Sequence, residues 1–212
     1  MSPDELIQLE GLVATKRHIC QGDALFRAGI SFQSLYAVRA GCFKTSMYGE
    51  ESRSQVIGFQ IPGDLLGLDG LTDAKHHVDA IALVDSEVCA IPYARITQIS
   101  KECPSLQLQL NRIMSCEIIK DHGVMMLLGS MQAKERLATF LLNFSERFKC
   151  LGHSPTEFKL HMSREDIGSY LGLKIETISR TLTNLQTDEL ISVKGKHINI
   201  LNLVGLKGLI DR

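Results

Sequence analysis

Ser163-Arg-Glu-Asp-Ile-Gly-Ser-Tyr-Leu-Gly-Leu-Lys-Ile-Glu-Thr-Ile-Ser-Arg-Thr-Leu182 spells two short helices and the turn between them. Ser163 suits the N-cap of the first helix, with Asp166 at the capping-box position that Glu or Gln usually holds. Ile167 and Leu171 form its apolar face, Gly168 lets a second helix approach, and Gly172 supplies a left-handed residue to end it. Leu173, Ile178 and Leu182 then dock the second helix onto the first. Each of these signals is weak alone. Glycine at 168, glycine at 172 and a branched apolar residue at 178 together form the steric skeleton of a helix-turn-helix.

On the second helix Glu176, Ser179 and Arg180 lie at i, i+3 and i+4 and share one face, flanked by Lys174 and Thr177. Arginine donates two bonds to guanine O6 and N7, glutamate accepts from cytosine N4, and serine reaches a base or a phosphate. Set in this frame, Glu176, Ser179 and Arg180 are candidate base readers of double-stranded DNA, with Lys174 and Thr177 as candidate backbone contacts. The plainer alternative is a solvated Glu–Arg pair worth about 0.2–0.5 kcal/mol. Downstream, Leu190 to Leu201 alternates apolar and polar residues around Lys194-Gly-Lys196, the pattern of a β-hairpin placed as a wing. Lys194 and Lys196 at its tip suit phosphates.

Upstream, residues 17 to 92 form short apolar runs separated by Gly, Asp and Pro. Phe43 to Tyr48 and Gln55 to Ile61 flank a polar loop, Gly49 to Ser54, like the arms of a hairpin. Further strands are expected at Leu35 to Val38, Asp79 to Val84 and Val88 to Ile91, an all-β spacing that fits a jelly roll. At Pro104 the period changes. Ser105 to Gly129 carries Leu110, Met114, Ile118, Met125 and Leu128 at helical spacing, with Asp121 on the same stripe. Such a helix between two modules serves as a spine or a dimer seam. The expected architecture is therefore α+β: a jelly-roll sensor domain over 1–103, a dimerisation helix over 104–130 and a winged helix-turn-helix over 131–212.

Net charge is −1, with 23 basic and 24 acidic residues. This excludes a broadly basic, non-specific nucleic-acid binder. Residues 1–130 hold 11 basic and 15 acidic side chains, whereas 131–212 hold 12 and 9, so an acidic module precedes a mildly basic one. No run approaches the roughly 18 apolar residues of a membrane span, and Met1-Ser-Pro-Asp-Glu5 lacks the basic start of a signal peptide. The expected location is the cytoplasm, where thiols stay reduced. Cys20, Cys42, Cys89, Cys103, Cys116 and Cys150 show no C-x-x-C and no histidine at zinc-finger spacing, which argues against a structural zinc site and for small, buried or half-buried hydrophobes.

The chain resembles the CRP/FNR family of bacterial transcription regulators, and within it the FNR branch. The resemblance runs over essentially the full length. It rests on Ser34-Leu-Tyr-Ala-Val-Arg-Ala-Gly41, Ile57-Gly-Phe59, Pro62-Gly-Asp-Leu-Leu-Gly67, Val88-Cys-Ala-Ile-Pro92 and Met162 to Arg180, of which Ile175-Glu-Thr-Ile-Ser-Arg180 is the most specific. It implies a homodimer that binds an inverted repeat of TTGAT-like half-sites, with Glu176, Ser179 and Arg180 at the base-contacting positions. It also implies RNA polymerase as a partner and a response to oxygen or redox state. Ile118 and Asp121 match dimer-helix positions, the aspartate repelling its symmetry mate until a signal offsets it. Cys89 matches the sensor-domain ligand of an oxygen-labile [4Fe–4S] cluster. The other three cluster cysteines lie, in the family, in an N-terminal segment without a counterpart in this sequence, so the cofactor stays open. The polar loop Gly49 to Ser54 also departs from the family's polymerase-contacting loop.

Two rival functions have weaker footing. A cyclic-nucleotide regulator would carry an Arg-Ser pair after Gly63 to Gly67, but Lys75-His-His-Val-Asp79 has no arginine to fork onto a cyclic phosphate. A cupin-type metalloenzyme would need converging ligands, and adjacent His76 and His77 on a strand would face opposite ways. No enzymatic activity is expected.

Overall fold

The computed structural model describes residues 15–49 and 54–210. Residues 1–5 and most of the polar loop between 49 and 54, both read above, lie outside the described residues. The chain divides into two compact units, which meet in sequence at Asp121 and His122.

In the first unit, alternation of apolar and polar residues makes two four-stranded antiparallel sheets. One runs in the order β1 (Thr15–Ile19), β8 (Ser86–Pro92), β3 (Ser34–Ala40), β6 (Leu65–Leu66). The other runs β2 (Ala24–Phe26), β7 (Asp79–Ala82), β4 (Phe43–Tyr48), β5 (Ser54–Gln60). The inward residues Phe26, Tyr36, Val38, Phe43, Ala80 and Val88 belong to one buried core cluster, the face-to-face packing of a jelly roll. The expected hairpin pairs Phe43 with Gln60 and Tyr48 with Ser54, with a bulge between Thr45 and Ser46. The strand expected over Asp79 to Val84 ends two residues earlier, at Ala82.

Asp79 closes the second sheet. Buried in β7, its carboxylate accepts from Arg27 Nη1 at 3.0 Å, the Ala28 N–H at 2.8 Å and the Tyr48 hydroxyl at 3.2 Å. A buried carboxylate is tolerable only with such donors. His76 and His77 occupy opposite environments, as adjacent positions in extended chain should. His76 is buried and stacked on Phe26 at 3.7 Å between ring centres, whereas His77 is exposed and bonds Asp73.

Helix α1 (Tyr93–Glu102) follows β8, and α2 (Pro104–Ser130) runs for 27 residues, close to the span read from its period. The second unit continues with α3 (Ala133–Cys150), β9 (Glu157–Lys159), α4 (Arg164–Leu171), α5 (Ile175–Thr187), the hairpin β10 (Ile191–Lys194) and β11 (His197–Ile200), and α6 (Leu203–Lys207). The hairpin extends into a three-stranded sheet in the order β10, β11, β9.

Candidate nucleic-acid interface

The turn between α4 and α5 is fixed by backbone geometry. Ser163 caps α4 reciprocally: its hydroxyl accepts from the Asp166 N–H at 3.0 Å, and the Asp166 carboxylate accepts from the Ser163 N–H at 3.0 Å. Gly172 ends α4 at φ +63°, and the Leu173 N–H reaches back to the Gly168 carbonyl at 2.8 Å. A Cβ on Gly168 would lie 2.6 Å from the Leu173 carbonyl oxygen, so only glycine leaves the turn its room. Leu171, Ile178 and Leu185 are fully buried beneath this turn, which leaves the opposite face of α5 to solvent.

On that face Glu176 and Arg180 are exposed, and among the described residues neither has an ion-pair or side-chain hydrogen-bond partner. The Glu–Arg pair of the plainer alternative does not form. Lys174 is exposed at the N-cap of α5, and Thr177 is half-buried. Ser179 differs from expectation: it is half-buried, and its hydroxyl accepts from Arg164 Nη1 at 3.0 Å. Arg164 comes from the other helix, 15 residues away, so no periodicity on α5 alone could reveal it. It places a second guanidinium on Ser179, one of the candidate base readers.

The wing forms as the alternation predicts. Ile191 pairs with Ile200 and Lys194 with His197, and Gly195 at φ +62° opens the two-residue turn. Lys194 is exposed without a partner among the described residues, whereas Lys196 Nζ donates to the His161 carbonyl at 2.5 Å. Burial holds the His161 imidazole below its ordinary pKa, and the charges of Lys159 and Lys196 add to this. Its Nδ1 is buried without a hydrogen-bond partner among the described residues. The folded state therefore keeps His161 neutral, while the unfolded chain takes up a proton below about pH 6.5. The stability this contributes is intact above that pH and is lost as pH falls. The thermal midpoint of the second unit should drop on acidification from neutral pH, and less so in His161→Gln. Equal pH slopes for the two proteins in calorimetry would refute this.

The stripe read on α2 splits in two. Leu110 packs against the buried Phe32, Leu35 and Ile96, and thus serves the core of the first unit. Leu128 lies against Gly172, whose added Cβ would meet it at 3.2 Å. Met114, Ile118, Asp121, Met125 and Leu128 stay exposed, and so do Leu108, Ile119 and Met126, which the reading at helical spacing left out. At the end of α2, Arg136 donates to three carbonyls, those of Leu128, Met131 and Leu171, each at 2.9 Å. One guanidinium thus satisfies orphan carbonyls at the C-termini of both α2 and α4.

Cys89 is half-buried on β8, paired across the ladders with Lys16 and Ala37. All six cysteines are described and none is in a disulfide. Among the described residues, only His18, Cys20 and Asp85 gather closely enough to share an ion, and Cys89 is not among them. The thiols of this chain do not assemble the four-cysteine set that a [4Fe–4S] cluster takes, so the residues present do not fit that group.

Residues 16–103 match the cyclic nucleotide-binding domain, and residues 135–209 match the Crp-like helix-turn-helix domain. The fumarate and nitrate reduction regulatory protein of Vibrio cholerae is 46% identical over 202 residues, covering 95% of this chain and 81% of that protein. The transcriptional regulatory protein btr of Bordetella pertussis is 41% identical over 212 residues, all of this chain and 88% of its own length. Among solved structures, FixK2 from Bradyrhizobium japonicum superposes with a TM-score of 0.86 at 29% identity, covering 93% of this chain and 98% of that one. With identity of this order over nearly its whole length and both component domains matched, the chain belongs to the CRP/FNR family and is a transcription regulator of the FNR type with a helix-turn-helix DNA-binding domain.

Proposed function

We propose that the protein binds an inverted repeat of TTGAT-like half-sites as a homodimer, with α5 in the major groove and Glu176, Ser179 and Arg180 reading base edges. The observation that carries this is that Glu176 and Arg180, on the solvent face of a helix locked by the Gly168 turn, have no side-chain partner among the described residues. Lys174, Thr177, Lys194 and Lys196 lie on the backbone of the duplex, and two half-sites sit about one helical turn apart. Replacing Arg180 with alanine should weaken binding to the specific repeat by about 1–3 kcal/mol, roughly 5- to 150-fold, and relax the preference at one base pair. Fluorescence anisotropy at one fixed salt concentration is the measurement. Equal weakening on a scrambled duplex would remove the base-reading role.

Support for the homodimer comes from α2, where Ile118, Ile119, Met125 and Met126 are each more than half exposed. A second copy would cover that apolar surface. Asp121 among them would face like charge across the seam, so Asp121→Ala should strengthen self-association. Sedimentation equilibrium showing no change would count against this geometry.

The working environment is the cytoplasm, and RNA polymerase is the protein partner of the bound dimer. No helix among the described residues is long and apolar enough to cross a membrane. The signal is oxygen or redox state, a reading supported by six cysteines free of disulfides, of which Cys20, Cys116 and Cys150 are exposed. A cyclic nucleotide is disfavoured at the corresponding segment. His76 there is buried between Phe26 and Phe32 with its ring 3.5 Å from Asp69, the segment itself has no arginine, and the Arg27 guanidinium beside it is bonded to Asp79.

A further inference from the structure

In the first unit, the open end of the β1–β8 ladder brings three different metal-ligating side chains together. In β1 only Ile19 is buried, and Arg17, two residues before it, is set over the Tyr36 ring on the same side. His18 therefore takes the opposite, outward side of the strand, and the exposed Cys20 follows directly after its last residue. The ladder pairs Ile19 with Ser86, and just beyond it Asp85 lies beside Cys20. One ligand atom from each of His18, Cys20 and Asp85 lies within 4.8 Å of the other two, and all three side chains are exposed.

The scaffold beneath them is stiff. Asp85 Oδ1 accepts from the Gln21 N–H at 2.8 Å, which orients the carboxylate and leaves its other oxygen available. The Cys20 carbonyl accepts from the Asp23 N–H at 3.0 Å, closing a tight turn whose Gly22 N–H bonds Ala82 at 2.8 Å. On the other loop Ser86, fully buried, donates to the Val84 carbonyl at 2.7 Å. The neighbouring carboxylate, Glu87, is held by Arg39 and is not available as a ligand.

We propose that His18, Cys20 and Asp85 bind one divalent cation of borderline softness, zinc above all, with water completing the coordination. Thiolate, imidazole and carboxylate are the donors zinc takes, whereas calcium and magnesium take oxygen alone. Thiolate and carboxylate together supply two negative charges and the imidazole is neutral, which matches a dication. Tetrahedral zinc sets its ligand atoms about 3.3–3.8 Å apart, so side-chain rotation alone brings these three into place. On binding, the Cys20 thiol gives its proton to the buffer as the metal–sulfur bond forms, with no change of oxidation state. Three protein ligands leave a position open, so the site exchanges metal with solvent instead of sealing it in.

The test titrates Co²⁺, a spectroscopic stand-in for zinc, into the reduced full-length chain. The expected result is one ion per chain, with a thiolate-to-cobalt charge-transfer band that Zn²⁺ displaces. Cys20→Ser should abolish the band and Cys116→Ser should leave it unchanged. Asp85→Asn keeps an acceptor for the Gln21 N–H, so the turn stays closed, yet affinity should fall at least about tenfold. A band that survives in Cys20→Ser, a band lost equally in Cys116→Ser, or unchanged affinity in Asp85→Asn would each overturn the site. All three substitutions are at exposed positions, and circular dichroism of each variant confirms that the sheets are intact.

Discussion

Replacing Gly168 with valine is expected to unfold the helix-turn-helix selectively and to abolish binding to the specific repeat. The ideal Cβ would sit 2.6 Å from the Leu173 carbonyl oxygen, and that atom belongs to the backbone of the turn. The turn cannot retreat, because the Leu173 N–H is bonded to the Gly168 carbonyl at 2.8 Å. Below it Ile178 and Leu171 are fully buried and fix the distance between the helices. Overpacking of this kind costs about 1–3 kcal/mol, and a backbone obstacle puts the valine at or above the upper end. In a unit of this size each kcal/mol lowers the midpoint by about 4–8 °C, so a fall of roughly 12 °C or more is expected for residues 122–212. Calorimetry should show that transition alone displaced, and anisotropy should show the specific complex lost. An unmoved transition would mean that the turn relaxes around the new side chain.

Gly41→Val should do comparable damage to the first unit. Gly41 stands at φ +92°, where a β-branched residue is strained by about 1–3 kcal/mol. An added Cβ would also fall 2.0 Å from Ser86 Oγ and 2.7 Å from Ser86 Cα. Ser86 has nowhere to go: its hydroxyl accepts from the Cys42 N–H at 3.2 Å while donating to Val84. Displacing it would break its hydrogen bond to the Cys42 amide in the core. Strain and overlap together come to about 4 kcal/mol, enough to lower the midpoint of the first unit by more than about 10 °C. Thermal melts that separate the two units should show the second unchanged. A single shared shift would argue against the independence of the two units.

What the sequence discloses follows the range of the forces involved. The helix-turn-helix was legible because its signals are local: a cap at Ser163, a left-handed glycine at 172 and apolar residues at helical spacing. The Phe43–Tyr48 hairpin and α2 were legible for the same reason. β1 was not, since Thr15-Lys-Arg-His-Ile19 lies at the sheet edge with one buried residue and gives no alternation to read. α1 was missed because Pro92 offers no side-chain cap and only Ile96 is deeply buried. The contact of Arg164 with Ser179 and the approach of Asp85 to His18 and Cys20 depend on tertiary pairing across 15 and more than 60 residues. Periodicity carries no trace of either. Leu110 shows the converse, a residue with seam spacing that is claimed by a neighbouring core.

Arg136 has a mechanical consequence. A guanidinium is planar and rigid, and here it is clamped to carbonyls of Leu128, Met131 and Leu171 at equal lengths of 2.9 Å. The last turn of α2 and the end of α4 are therefore pinned to one flat plate, with no slack in which a rotation could dissipate. A twist of that turn passes directly into α4, and through the Gly168–Leu173 bond into the attitude of α5. The orientation of α5 is thereby keyed to the last turn of α2, as a gear is keyed to its shaft.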